Sequence, residues 1–160
     1  MKWQVKMGWH NALFLHWKIA PDVLRPLLPP TVELDLFDDH AWLGIVAFEM
    51  HDVRRRWLPR VPGMLSFPEI NVRTYCRHGG IDGIFFLSLD TPEFFTRTFG
   101  KRHFHLPYRK RRMDYEITAN SSTRYRSYHP DGKLEFDASY EPADDGAEEL
   151  TAFAPSDFIH

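Results

Sequence analysis

From Phe67 to Cys76 the chain reads Phe-Pro-Glu-Ile-Asn-Val-Arg-Thr-Tyr-Cys, a strict alternation that a helix cannot use and a strand can. Successive side chains of a strand point to opposite faces, so Glu69, Asn71, Arg73 and Tyr75 share one face while Ile70, Val72, Thr74 and Cys76 share the other. One face therefore carries an acid, an amide, a guanidinium and a phenol in a row. At roughly 3.3 Å per residue, Glu69 and Arg73 stand about 13 Å apart, too far to pair with each other. Each needs water, a cross-strand partner or a ligand. Wet sheet faces are rich in Lys, Glu and Thr, whereas this series offers donors and acceptors of fixed geometry, suited to orienting a small polar molecule.

The rest of the composition supports a β-rich body. Thirteen Phe, five Trp and six Tyr suit pleated surfaces, and twelve Pro with nine Gly supply the turns that many short strands need. With 160 residues, a single core is expected. A net charge of -2 gives no bulk attraction to nucleic acid or to an anionic membrane. Cys76 is the only cysteine, which excludes an internal disulfide and a cysteine-based zinc site. The N-terminal Met1-Lys2-Trp3-Gln4-Val5-Lys6 lacks the apolar core of a signal peptide, and no run approaches a membrane span, so a cytoplasmic protein is expected.

Along the chain, Ala12 to Ile19 reads as a buried strand, and Pro21 opens a short helix that Pro26 and Pro29-Pro30 stop. Strands are expected at Val32 to Leu36 and at Ala41 to Met50, on either side of an Asp38-Asp39 turn; the second is apolar on both faces and should be central. A basic loop, Arg54 to Gly63, leads into the Phe67–Cys76 strand, which turns at His78-Gly79-Gly80 and pairs with Gly83 to Asp90. Phe94, Phe95 and Phe99 fall on one helical face between Thr91-Pro92 and Gly100, predicting a two-turn helix that lids the sheet. Three more strands are expected near Met113–Ala119, Thr123–Tyr128 and Leu134–Tyr140, the last two joined by His129-Pro130-Asp131-Gly132. The layout is β-rich α+β and largely antiparallel.

Five segments stand in order along the chain: Leu13-Phe14-Leu15-His16-Trp17, Leu24-Arg25-Pro26-Leu27-Leu28-Pro29, Glu69 to Tyr75, Phe86-Leu87-Ser88-Leu89 and Leu106-Pro107-Tyr108. Together they resemble the YqjF-like proteins, a family of unknown function related to the acetoacetate decarboxylases. The resemblance runs in order from about Trp9 to Phe153 and implies an acetoacetate-decarboxylase-like antiparallel β-barrel with short flanking helices, enclosing a pocket. Its decarboxylases use a lysine to form a Schiff base with a β-keto acid. Glu69, after Phe67-Pro68, matches the glutamate of their pocket strand. The lysine is not matched: it follows a proline in the family motif, where Tyr108 follows Pro107 here, and Lys110 lies two positions on. The arginine expected near His10 and Asn11 is also missing. Schiff-base decarboxylation is therefore not expected. YqjF-like proteins usually continue beyond a segment like Leu150-Thr151-Ala152-Phe153 with further strands, so the barrel is expected to be incomplete. The expected division is residues 1–143 as the barrel domain and 144–160 as an acidic linker and shortened tail. An open sheet edge would invite a second chain, so a homo-oligomer is expected.

Other chemistry is weaker. His103-x-His105 could present two imidazoles on one strand face, but no carboxylate lies near in sequence, and no metal or cofactor is expected. Cys76 falls on the apolar face, as core cysteines do, and Arg109-Lys110-Arg111-Arg112 reads as a solvated turn rather than a nucleic-acid contact. Two function classes follow. In the first, the strand faces a pocket for an unknown small polar or anionic ligand: Glu69 is an acid, base or acceptor and the one candidate catalytic group, for instance toward a small carbonyl or carboxylate compound; Arg73 holds an anion; and Asn71, Tyr75 and Tyr108 orient the ligand. In the second, the strand is part of a non-catalytic scaffold, its polar groups satisfied by neighbours such as Arg124 or Arg126. Full pairing of Glu69 and Arg73 would favour the scaffold; spare hydrogen-bonding capacity would favour the pocket.

Overall fold

A computed structural model describes residues 5–55, 66–119 and 122–141. The expected basic loop from 56 on and the acidic linker and tail lie outside the described residues, although Arg54 and Arg55 belong to the strand before them.

Among the described residues, nine strands and two helices follow one another: β1 (Val5–Ile19), α1 (Pro21–Leu24, continued by a 3-10 turn at Arg25–Leu27), β2 (Glu33–Leu34), β3 (Ala41–Arg55), β4 (Ser66–His78), β5 (Ile81–Thr91), α2 (Phe94–Phe104), β6 (Tyr108–Lys110), β7 (Arg112–Ile117), β8 (Thr123–Tyr128) and β9 (Leu134–Tyr140). The first six strands form one sheet in the order β1-β3-β4-β5-β6, with β2 beside the end of β4; β7, β8 and β9 form a second sheet. Every pairing is antiparallel except β5 with β6. The two sheets are not joined into a closed barrel among the described residues.

The alternation that singled out β4 has a direct outcome in packing. Ile70 joins Ala47 and Tyr125 in a core between the two sheets, flanked by Leu13, Ile45, Met113, Tyr115 and Phe136. The β8 phenol is tied across this core: the Tyr125 hydroxyl donates to the Asn11 carbonyl at 2.7 Å, where β1 bulges and Asn11 takes φ 50°. Asn tolerates that left-handed backbone better than most residues. The other face of the large sheet holds a second core of Val46, Phe48, Met50 and Phe67. Ala41–Met50 is central, as its two apolar faces require.

The structure departs from the sequence reading in five places. Ala12 to Ile19 is a strand but not a buried one: among the described residues β1 has β3 as its one ladder partner, and it leaves Phe14 and Trp17 47% and 45% exposed. The Val32–Leu36 strand shrinks to Glu33–Leu34, because β2 has only the end of β4 to pair with. The helix after Thr91 runs three turns rather than two. It begins where the Glu93 carboxylate accepts the Thr96 backbone N–H, and it passes through Gly100 instead of stopping there. Gly100 serves packing: a Cβ on it would sit 2.3 Å from the Tyr108 ring. His103 lies in the last turn of α2 and His105 follows it at φ 54°, so the pair does not share a strand face. Nor is Arg109 to Arg112 a turn: it ends β6 and opens β7, with Arg109, Lys110 and Arg112 exposed as expected and Arg111 buried. Arg109 binds Asp90 through two nitrogens at 2.7 and 2.8 Å, and buried Arg111 binds Glu135 at 2.6 Å, welding β6 to β5 and to the second sheet.

Candidate functional site

Register places the candidate residues. Directly paired residues on neighbouring strands share a face, so two rows cross the sheet side by side. One is Phe14, Val46, Asn71, Leu89 and Tyr108; the next is His16, Gly44, Arg73 and Phe86. Glu69 stands beside Phe48 at one end of this patch, and Tyr75 beside Ile84 at the other.

The polar face is buried, not wet. Glu69 is 2% exposed, Asn71 1% and Arg73 8%; Tyr108 is buried and Tyr75 half-buried. Burying a carboxylate disfavours its charge, and the structure gives Glu69 little to offset this. Desolvation pushes its pKa up to about 7; the Tyr108 hydroxyl, donating to Oε2 at 3.1 Å, pulls the other way, and the charge of Asp90 adds to the rise. Tyr108 is itself held protonated by burial and by the neighbouring carboxylate. Glu69 and Tyr108 thus form an acid pair that can take up or release a proton near neutrality.

The other predicted residues gather at the far end of the row. Arg73 lies under the Phe14 ring, its guanidinium carbon 5.8 Å from the ring centre, and its Nε is buried without a hydrogen-bond partner. The Asn71 side-chain oxygen is likewise buried and unpartnered. Tyr75 meets His16, with Nε2 and the phenol oxygen 2.8 Å apart and the rings stacked. Burial, and then the charge of Arg73, lower the His16 pKa, which favours the neutral imidazole.

Five residues singled out by sequence therefore share one face, in two groups linked by Asn71: Glu69 with Tyr108, and Arg73 with Tyr75. His16, Phe14 and Gly44 were missed. Their signal was the alternation in Leu13-Phe14-Leu15-His16, which puts Phe14 and His16 on one face; which strand they would stand against is a matter of register, which the alternation leaves open. Arg124 and Arg126, the suggested scaffold partners, pair instead with Asp137 and Glu116 in the second sheet. Lys110 is exposed at the end of β6. Cys76 is buried with its thiol pKa raised by desolvation, the state of a core thiol rather than a nucleophile. Among the described residues no group of three or more His, Cys, Asp or Glu is placed to hold a metal ion, and no helix is long and apolar enough to cross a membrane. A cleft of about 170 Å³ does open between the sheets, against Ile45, Ile70, Val72 and Phe136, but on the opposite face and beside the paired Asp90 and Arg109.

A large antiparallel sheet with a parallel strand returning through a helix, backed by a three-stranded sheet, is the acetoacetate decarboxylase-like fold. Acetoacetate decarboxylase from Legionella pneumophila subsp. pneumophila str. Philadelphia 1 matches over 88% of this chain and 52% of its own, with a TM-score of 0.65 and 15% identity. The enduracididine biosynthesis enzyme MppR complexed with pyruvate matches over 81% and 54%, with a TM-score of 0.61 and 14% identity. Sequence narrows this further. Residues 6–155 match the family DUF2071, described as uncharacterized conserved protein, and the chain belongs to that family. It is 34% identical over 140 residues to the uncharacterized protein YqjF of Bacillus subtilis (strain 168), covering 88% of this chain and 58% of that protein. The chain thus spans between half and three-fifths of the length of these three proteins.

Proposed function

We propose that this protein binds a small organic anion against the buried face of β4, and that it does so in the cytoplasm as a homo-oligomer. The observation that carries the reading is the pair of unmet valences in the middle of that face. Arg73 Nε–H is a donor and Asn71 Oδ1 an acceptor, both on residues more than nine-tenths buried. A buried polar group without a partner costs on the order of 1–3 kcal/mol, and a ligand carrying a carboxylate and a neighbouring hydroxyl or amino group would relieve both. A fully paired scaffold would leave neither. Small hydroxy acids such as lactate fit this description, and pyruvate, bound by a protein of the same fold, is the companion probe that can meet Arg73 but has no donor for Asn71. Calorimetric titration with pyruvate, lactate and succinate tests the reading: at least one acid should bind, and Arg73→Gln should weaken it tenfold or more. Binding insensitive to that substitution, or no binding at millimolar concentrations, would refute it.

Glu69 favours a second, enzymatic reading. A carboxyl that titrates near pH 7 and is held by a tyrosine hydroxyl is suited to moving a proton at the carbon beside a carbonyl. Schiff-base decarboxylation is not part of it, since Tyr108 stands after Pro107 where the family motif has lysine. Exchange of the pyruvate methyl protons in deuterated water, followed by proton NMR, should be accelerated by the protein and lost in Glu69→Gln. Equal exchange with and without protein would leave binding alone.

A further inference from the structure

The absence of a side chain at Gly44 shapes the face beside Arg73. His16, Gly44 and Arg73 are neighbours in one cross-strand row, and a Cβ on Gly44 would lie 3.1 Å from His16 Nε2 and 3.4 Å from Arg73 Cγ. Any larger residue would push between the imidazole and the guanidinium stem. With glycine, the two side chains lean together over bare backbone, Phe14 covers the guanidinium, and Tyr75 closes the far side through its contact with His16. We propose that Arg73, His16 and Tyr75, converging over Gly44, form a bay for one oxyanion, and that filling it takes up a proton on His16.

The coupling follows from the charges around the ring. In the free protein, His16 faces the Arg73 cation and is held neutral by its partial burial and that charge. Of the other titratable groups on the same face, Glu69 stands four residues from Arg73 along β4 with Tyr108 as its partner, and the charged groups nearer to His16 are already paired. Lys18, next along β1, binds Asp38 at 3.3 Å, and Arg77, next along β4, binds Asp82 at 2.5 Å and Asp35 at 3.6 Å; the β5 residues opposite are Ile84 and Phe86. Among the described residues, Arg73 is thus the unneutralised charge that His16 meets. An oxyanion on the guanidinium cancels that repulsion and adds an attraction of its own, so the imidazole becomes easier to protonate. The proton has a defined place. With neutral His16 protonated on Nδ1, the Tyr75 hydroxyl donates to Nε2; once Nε2 carries the proton it donates to the phenol oxygen, and the Tyr75 hydrogen turns away toward the bound anion. One proton is gained from solvent, and the His16–Tyr75 bond reverses direction.

This rests on the reading that Arg73 holds the ligand, and it adds a pH dependence that the reading alone does not require. The linkage sign is fixed: uptake on binding means that affinity rises as pH falls, by at most about tenfold per pH unit between the free and bound pKa values of His16. Above both values the affinity is flat. The test is calorimetric titration of the whole chain with pyruvate, and separately with sulfate, between pH 5.5 and 8, in bis-tris and in imidazole, whose heats of protonation differ. Both probes keep their charge across that range. The proposal expects a buffer-dependent heat corresponding to uptake of up to one proton per site. Affinity should fall with rising pH, His16→Gln should abolish uptake and flatten the profile, and Gly44→Ala should weaken binding at every pH by crowding the bay. Equal response to both probes assigns the bay to a bare oxyanion; response to pyruvate alone assigns it to a carboxylate with its carbon neighbour. Arg73-dependent binding with no proton uptake overturns the His16 coupling and leaves the anion reading standing. Absence of Arg73-dependent binding overturns both.

Discussion

The substitution Glu69→Gln should stabilise this protein at alkaline pH and do nothing for it in acid. Glutamine keeps the shape of the side chain and an oxygen for the Tyr108 hydroxyl, and removes only the ionisation. Burial moves the folded carboxyl up to about 7 from its ordinary 4.5, so the folded state keeps a proton there that the unfolded chain has already released. The group binds more protons when folded, and stability therefore falls as pH rises through that window. A gap of some 2.5 pKa units corresponds to roughly 3 kcal/mol, lost between about pH 4.5 and pH 7 and fully absent by pH 8. For a chain of this size that is about 6–12 °C in melting temperature. Thermal melts of both proteins at pH 5 and pH 8, followed by far-ultraviolet circular dichroism, decide the matter. The variant should exceed the parent only slightly at pH 5, where under a third of the effect has developed, and by the full amount at pH 8. Equal melting temperatures at pH 8, or the same difference at both pH values, would refute the argument that burial holds this carboxyl near neutrality.

Three further outcomes are expected. Tyr108→Phe removes the hydrogen bond that lowers the Glu69 pKa, so the midpoint of the pH-dependent melting should move to higher pH, and an unmoved midpoint would show that the bond is not made in solution. Gly100→Ala puts a methyl group into the Tyr108 ring and should cost about 1–3 kcal/mol in urea unfolding, whereas an exposed helical glycine would gain stability from the same change. In sedimentation velocity at micromolar concentration the protein should run as a dimer or larger, since β1 presents a long edge with Trp9, Phe14 and Trp17 each more than two-fifths exposed; a monomer would count against that.

Strand and turn chemistry was legible because it is local. The period of two in β4, the two-faced apolar run of β3, the Gly79-Gly80 turn and the hairpin from β8 to β9 all announce themselves within a few residues. Long-range register was not. Nothing near Tyr108 says that it will lie parallel to Leu89 and reach back 39 residues to Glu69, and nothing near His16 names Arg73 as its neighbour. Gly100 is instructive in another way: a glycine after a run of helical residues reads as a stop, yet its role is set by a ring eight residues on that only the folded chain brings near. Likewise nothing near Arg109 and Arg111 names their partners, Asp90 and Glu135, which lie some twenty residues away on either side.

The return of the chain through α2 to β6 also bears on the order of folding events. The strands β3, β4 and β5 are antiparallel neighbours in sequence and can assemble by local pairing, whereas the cover over Glu69 arrives only when α2 has formed and Tyr108 has docked beside Leu89. Until then the carboxyl stays hydrated and titrates as it does in the unfolded chain. If that docking follows the rate-limiting barrier, the whole cost of dehydrating Glu69 falls on the native side of it, and alkaline conditions quicken unfolding while leaving refolding untouched. The parallel strand that completes the acid pair would then also be the first to leave, so that the lifetime of the native state, more than its rate of formation, is what this buried carboxyl controls.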